Sequence, residues 1–199
     1  MAVQDGSKIP TLFLIAGPNG AGKSTLYKYR IAPITGAPFV NADIIQRDEL
    51  RDPDPKASYK AANMAEARRQ QYLAEGVSFV AETVFSHPSK LELLEQARRA
   101  GFALQVYHVG VATADQSVAR VAIRVSEGGH PVPEDKIRAR FARNGALIRR
   151  AVLMADNGFV FDNSVRGRPP TLGIRYRRGI LVEATPHLTP WQRKLYPVT

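Results

Sequence analysis

Apolar residues fall into two rhythms along this chain. Short, nearly continuous runs at 12–16, 39–42, 77–83, 102–109 and 158–164 have the length of strands buried on both faces. Between them lie helix-compatible stretches at 24–30, 58–74, 89–99, 114–125 and 134–156. Alternation of this kind predicts an α/β fold, with a mostly parallel sheet and helices on both faces. Ligands of such sheets gather outside the carboxyl ends of the strands. The polar residues at 17–24, 41–43 and 82–87 therefore carry most of the functional information.

Breakers sharpen the boundaries. The stretch 33–38 reads as a loop with Pro and Gly punctuation, and Arg51-Asp52-Pro53-Asp54-Pro55 as an exposed break. Ser58 is the expected cap of the following helix, with Gly76 just past its end. In 114–125 the apolar stripe is Val118, Val121, Ala122 and Val125, with Arg120 and Arg124 on the opposite face. Gly128-Gly129 interrupts that pattern before a second long helix whose core stripe is Ile137, Phe141, Ile148 and Val152. Two helices joined by an arginine-flanked loop predict a helical lid at about 120–140. From about 165 to 199 the chain reads as a basic tail with a hairpin around Arg178-Gly179. With no internal repeat and no sign of a second unit, residues 1–199 read as one domain.

One stretch departs from both rhythms. Gly17-Pro18-Asn19-Gly20-Ala21-Gly22-Lys23-Ser24-Thr25 fits the phosphate-loop pattern, and it has the strand before it and the helix after it that the pattern requires. Its glycines let backbone N–H groups turn inward around a polyphosphate, and the helix that follows aims its positive end at the same phosphates. Lys23 is then the residue that reaches the β- and γ-oxygens, and the Ser24 hydroxyl the ligand for Mg²⁺. A nucleoside triphosphate, ATP or GTP, is the expected ligand.

Composition narrows the chemistry. The chain has no cysteine, which excludes disulfides, thiolate metal sites and cysteine nucleophiles. No apolar run approaches the roughly 18 residues of a membrane span, so a soluble, cytoplasmic protein is expected. The net charge is +10, and it is uneven: residues 1–113 carry 13 basic and 11 acidic side chains, residues 114–199 carry 15 and 7. Such an excess suits a phosphate-bearing acceptor or a nucleic-acid surface, and a solvated basic face is the plainer explanation.

A phosphate loop alone serves many activities. The Asn-Lys-x-Asp signature of Ras-type GTPases is absent, and a small kinase acting on a hydroxyl is favoured. Such an enzyme needs a carboxylate to take the hydroxyl proton and cations to spread the charge of the transferring group. Asp43, after the second strand, suits the first task; the alternative is a helix cap. Glu82 ends an apolar strand, where a carboxylate needs a cationic, metal or hydroxyl partner; the alternative is a structural ion pair. Arg120, Arg124 and Arg140 are the candidate lid cations, and His130 a weaker one, which as a loop histidine serves equally well to cap a backbone carbonyl. Asp162 reads either as a Walker-B residue or as the start of an Asx turn, the latter favoured. A polynucleotide kinase and a nucleotide-gated binding module are the competing readings. The first is weakened by the scarcity of aromatics among the basic residues, the second because it leaves Glu82 and the lid without a task.

The phosphate loop, Asn41-Ala42-Asp43, Glu82-Thr83 with Ser86-His87, and the block from Arg124 to Pro133 with Ile137 and Arg140 behind it together resemble the zeta toxins and their single-domain relatives among the P-loop kinases. The resemblance spans residues 11 to about 165. It implies a three-layer P-loop kinase-like fold and an ATP- and Mg²⁺-dependent kinase. Well-known members phosphorylate UDP-N-acetylglucosamine on a sugar hydroxyl and are silenced by an antitoxin protein. By that likeness Lys23 binds phosphate, Asp43 is the base, Glu82 and Thr83 hold the acceptor, and the lid arginines steady the transferred group. This chain departs from the toxins of established activity in a shorter lid, with His130 roughly where a second arginine stands in those toxins, and in a shorter chain beyond the lid.

Overall fold

The computed structural model describes residues 9–198 apart from 53, 55 and 130. Seven strands form one sheet in the order β2-β3-β1-β4-β5-β6-β7: Phe39–Val40, Phe79–Thr83, Thr11–Ala16, Ala103–Gly110, Asn157–Asp162, Thr171–Arg177 and Ile180–Ala184. The first five strands in chain order run parallel, whereas β6 and β7 are antiparallel additions. β1 lies at the centre of the five parallel strands, and the chain builds outward from it in both directions. Its carboxyl end is thus the topological switch point, where a ligand crevice is expected.

Strand alternation deals side chains to two clusters. Leu12, Leu14, Leu104, Val106 and Val160 face helices α4 (Ala57–Glu75), α5 (Lys90–Arg99) and α7 (Glu134–Met154). Ile15, Val80, Val109 and Phe161 face the other way, onto Leu26 and Ile31. α4 buries Ala57, Ala61 and Ala65 at four-residue spacing, a small-residue stripe that lets the helix lie close to the sheet.

Several boundaries differ from those expected. Helix α1 (Lys23–Leu26) does not end near Arg30; it runs through a π-helical turn, Tyr27–Ile31, into α2 (Ala32–Thr35). Pro33 sits in the first turn of α2, where its missing N–H costs little, and Gly36 at φ 57° ends the run. Ser58 is not the cap of α4: the helix begins at Ala57, prepared by a turn in which the Asp54 carboxylate accepts from Lys56 N at 2.8 Å.

The region expected to be a basic tail is woven into the sheet. β6 and β7 form the hairpin read around Arg178-Gly179, and α8 (Pro190–Leu195) returns across the carboxyl half of β4 and β5. Trp191 donates to Asp162 Oδ1 at 2.7 Å, and the Tyr196 hydroxyl meets His108 Nδ1 at 2.7 Å. Gly110 leaves the space Trp191 occupies, since a β-carbon there would lie 2.5 Å from the indole. Among the described residues no helix is long and apolar enough to cross a membrane.

Candidate active site

The loop after β1 is shaped by its neighbours as much as by its own glycines. Gly22, at φ 89°, begins α1, and a β-carbon on it would collide with Asn163 Nδ2 at 2.3 Å. Asn163 uses that closeness: its amide donates to Ala21 O at 2.8 Å, and its own N–H bonds Gly110 O at 2.8 Å. The phosphate loop is thereby tied to the ends of β4 and β5. Gly20 packs on α6 (Ala114–Ser126), where a β-carbon would come within 2.9 Å of Arg120 Cβ. The loop N–H groups at the head of α1 have no intrahelical partner. A buried ammonium, Lys23, stands beside them, bonded to Pro18 O at 3.1 Å. A cradle of this kind, too tight for side chains and rich in donors, fits a polyphosphate.

Glu82 meets this cradle from β3. Its carboxylate lies 3.7 Å from Lys23 Nζ and accepts from Ser24 Oγ at 3.0 Å. The expected cationic and hydroxyl partners are thus both present. Among the described residues no group of three or more His, Asp or Glu gathers as a metal cage. A hydroxyl beside one carboxylate, to be completed by phosphate oxygens and water, is instead the donor set that suits Mg²⁺.

Asp43 is released from the helix-capping alternative. Asn41 is the cap of the short α3 (Ala42–Ile44), accepting from Asp43 N at 2.8 Å and Ile44 N at 3.3 Å, and this leaves Asp43 at the second position of the helix with its side chain exposed. The Thr83 hydroxyl accepts from Phe85 N at 3.1 Å and holds Phe85 in a left-handed conformation, φ 56°. Asn19, Lys23, Asp43, Glu82, Thr83, Arg124 and Arg140 line a single cavity of about 600 Å³. Its far wall is made by α4 and α5, including Arg69 and Lys90, neither of which stood out in the sequence.

α6 corrects the stripe read from its sequence. Its buried residues are Ser117 and Val121, Arg120 and Arg124 are half-buried, and Ala122 and Val125 face solvent. The helix packs its polar side on the phosphate loop rather than its apolar side on the sheet. Arg124 reaches the cavity from there, but Arg120 does not line it. Arg120 lies over Gly20 and donates to Ser164 O at 3.3 Å; burial lowers its pKa, and Asp162 acts against that shift. His130 lies outside the described residues. The Asx-turn reading of Asp162 holds, because its two oxygens accept from Ser164 N at 3.2 Å and Ser164 Oγ at 2.6 Å. Asn163, buttressing the loop, was not identified from the sequence: a residue that meets the loop 142 positions away in the chain leaves no local signal.

A family model described as "Zeta toxin" matches residues 2–164 of the chain. An uncharacterised protein of Haemophilus influenzae is 27% identical over 129 residues, covering 63% of this chain and 88% of that protein. Among solved structures, the AvrRxo1-ORF1:-ORF2 complex crystallised with ATP superposes with a TM-score of 0.68 at 17% identity, covering 88% of this chain and 61% of that one. The chain therefore spans about three fifths of the length of that structural relative. The PezAT toxin–antitoxin system of Streptococcus pneumoniae matches with a TM-score of 0.56 at 18% identity, over 78% of this chain and 68% of that one. At these identities the structural matches speak for the fold, which is that of the P-loop kinases.

Proposed function

The chain belongs to the zeta toxin family, and from that premise we propose that it is an ATP-dependent kinase acting on a hydroxyl of a small, phosphate-bearing acceptor. The observation that carries this reading is the cavity shared by Lys23, Asp43, Glu82, Arg124 and Arg140, with the phosphate loop at one end. In the proposed reaction the Asp43 carboxylate takes the proton of the acceptor hydroxyl as its oxygen bonds the γ-phosphorus. The bond from that phosphorus to the β-γ bridging oxygen breaks, and ADP leaves. Lys23 neutralises the β- and γ-oxygens, while Arg124 and Arg140 face the equatorial oxygens on which charge accumulates. Ser24, with Glu82 beside it, would hold Mg²⁺, which supplies charge neutralisation on the donor phosphates when bound.

A nucleotide sugar such as UDP-N-acetylglucosamine is the first acceptor to try, and a role as the toxin of a toxin–antitoxin pair, silenced by a protein partner, accompanies it. GTP is the alternative donor. The test incubates the protein with labelled ATP and a panel of nucleotide sugars, nucleosides and short oligonucleotides, read by mass spectrometry. A gain of one phosphoryl group on a single class is expected. Lys23→Ala and Asp43→Asn should each lower transfer by at least about a hundredfold, the scale of a lost general base or charge clamp, with thermal unfolding little changed. Full transfer by a folded Asp43→Asn protein would remove Asp43 from the chemistry.

A further inference from the structure

Building on the kinase reading above, we propose that the α4–α5 wall of the cavity recognises an anionic group on a polyhydroxylated acceptor, with Arg69 and Lys90 holding that anion. The reacting groups described above occupy only one end of a space of about 600 Å³. A volume of that order encloses most of a ligand the size of a sugar derivative. The polar side chains that α4 and α5 add to its lining are Asn63, Glu66, Arg69, Lys90, Glu92 and Gln96.

The charge arithmetic of the sequence pointed elsewhere. Residues 114–199 hold most of the positive excess, yet Arg166, Arg168, Arg175, Arg177 and Arg178 do not line the cavity. Recognition of an acceptor anion at that wall falls instead to two cations from the nearly balanced first part of the chain.

Arg69 is built for the task. Its side chain is 11% exposed, and Nη2 is bonded to Glu66 Oε2 at 2.5 Å. Its Nε is buried, with no hydrogen-bond partner among the described residues. A guanidinium carries five donors in a rigid fork, so an anchor at one nitrogen orients the others toward a bidentate anion. Glu66 is the anchor. Burial works to raise its pKa, but hydrogen bonds from Arg69 and Gln70 and the charges of Arg69 and Lys90 bring it below its ordinary value. Lys90 is thus near enough to act on the same carboxylate; with Glu92 the ionised side chains of the wall sum to zero, so an anion is held by the local pair of Arg69 and Lys90 and not by a net charge. Glu92, with the amides of Asn63 and Gln96, adds acceptors and donors suited to hydroxyl groups. The wall as a whole fits a sugar or polyol bearing a phosphate or a carboxylate.

The test is calorimetric titration of the full chain, saturated with a non-hydrolysable ATP analogue and Mg²⁺, with glucose 6-phosphate, glucuronate, UDP-glucose and uncharged glucose. At least one charged probe should bind roughly tenfold or more tighter than glucose, the worth of a charge-assisted hydrogen bond. Comparison of glucose 6-phosphate with glucuronate tells which anion is preferred. Arg69→Met and Lys90→Met, each first shown to bind the analogue, should each weaken that probe about tenfold and leave glucose unchanged. Equal affinity for charged and uncharged probes, binding of none of them, or indifference to both substitutions overturns the proposal. Phosphoryl transfer, followed in the same samples with ATP, separates the two readings. Charge-selective binding that depends on Arg69 and Lys90 but is never followed by transfer removes the kinase and leaves the anion site. Transfer to a sugar whose affinity ignores both residues does the reverse.

Discussion

Single residues matter here through what they leave free. Asn41 takes over the capping bond that Asp43 was equally suited to make, and so an acidic side chain is left exposed in the cavity. Motif spacing placed both residues after β2, but which of the two caps depends on the backbone turn. Asn163 is the converse case, a residue with no motif that braces the phosphate loop through one bond to Ala21 O. Asn163→Ala should cost about 1 kcal/mol of stability, the net worth of a hydrogen bond. If the brace shapes the cradle, ATP affinity should fall roughly fivefold as well. Titration with ATP checks this, and unchanged affinity would mean that the loop keeps its form without the brace.

At the scale of elements, α6 shows where periodicity misleads. Val118, Val121, Ala122 and Val125 make a convincing apolar stripe, yet Ala122 and Val125 face solvent while Arg120 and Arg124 are half-buried. The helix is turned by its contact with the phosphate loop, where Gly20 and Arg120 meet. The observed orientation has a consequence that the sequence stripe denies. Val125→Lys should change stability by less than about 0.5 kcal/mol, as exposed substitutions usually do. Val121→Ala, at a residue 3% exposed, should cost about 1–3 kcal/mol through lost burial and a cavity. Denaturant unfolding of the two variants decides, and equal losses would restore the stripe. α7 follows its pattern at Ile137, Ile148 and Val152, which are buried, but not at Phe141, which is half-buried and packs against the cluster on the other side of the sheet.

Over the whole molecule, the C-terminal hairpin and α8 close the sheet beside β4 and β5 and seal His108 inside. Burial pushes its pKa down to about 3, from an ordinary 6.5, and its ring meets the Tyr196 hydroxyl and the rings of Tyr196 and Trp191. The neutral form is favoured in the fold, so below pH 6.5 the unfolded chain binds the extra proton. The contribution is whole above that pH and is lost as the pH falls, at about 1.4 kcal/mol per unit, until the folded imidazole titrates near 3. His108→Gln should therefore show a shallower fall of Tm between pH 7 and 4 than the native chain, and equal slopes would rule His108 out as the cause. The sequence by itself determined the alternation of strands and helices, the phosphate loop and the carboxylates after β2 and at the end of β3, since each is written in local spacing or in a strand's end. Tertiary structure alone decided that two further cations reach the cavity beside Lys23, Arg124 and Arg140. Arg69 and Lys90 do so because α4 and α5 pack on the same face of the sheet, whereas the arginines of 165–178 lie on its antiparallel side. Packing between distant segments sets that choice, and no count of charges along the chain carries it. The phosphate loop owes its support to the same cause: its brace comes from the end of β5, which pairing with β4 sets one strand away from β1.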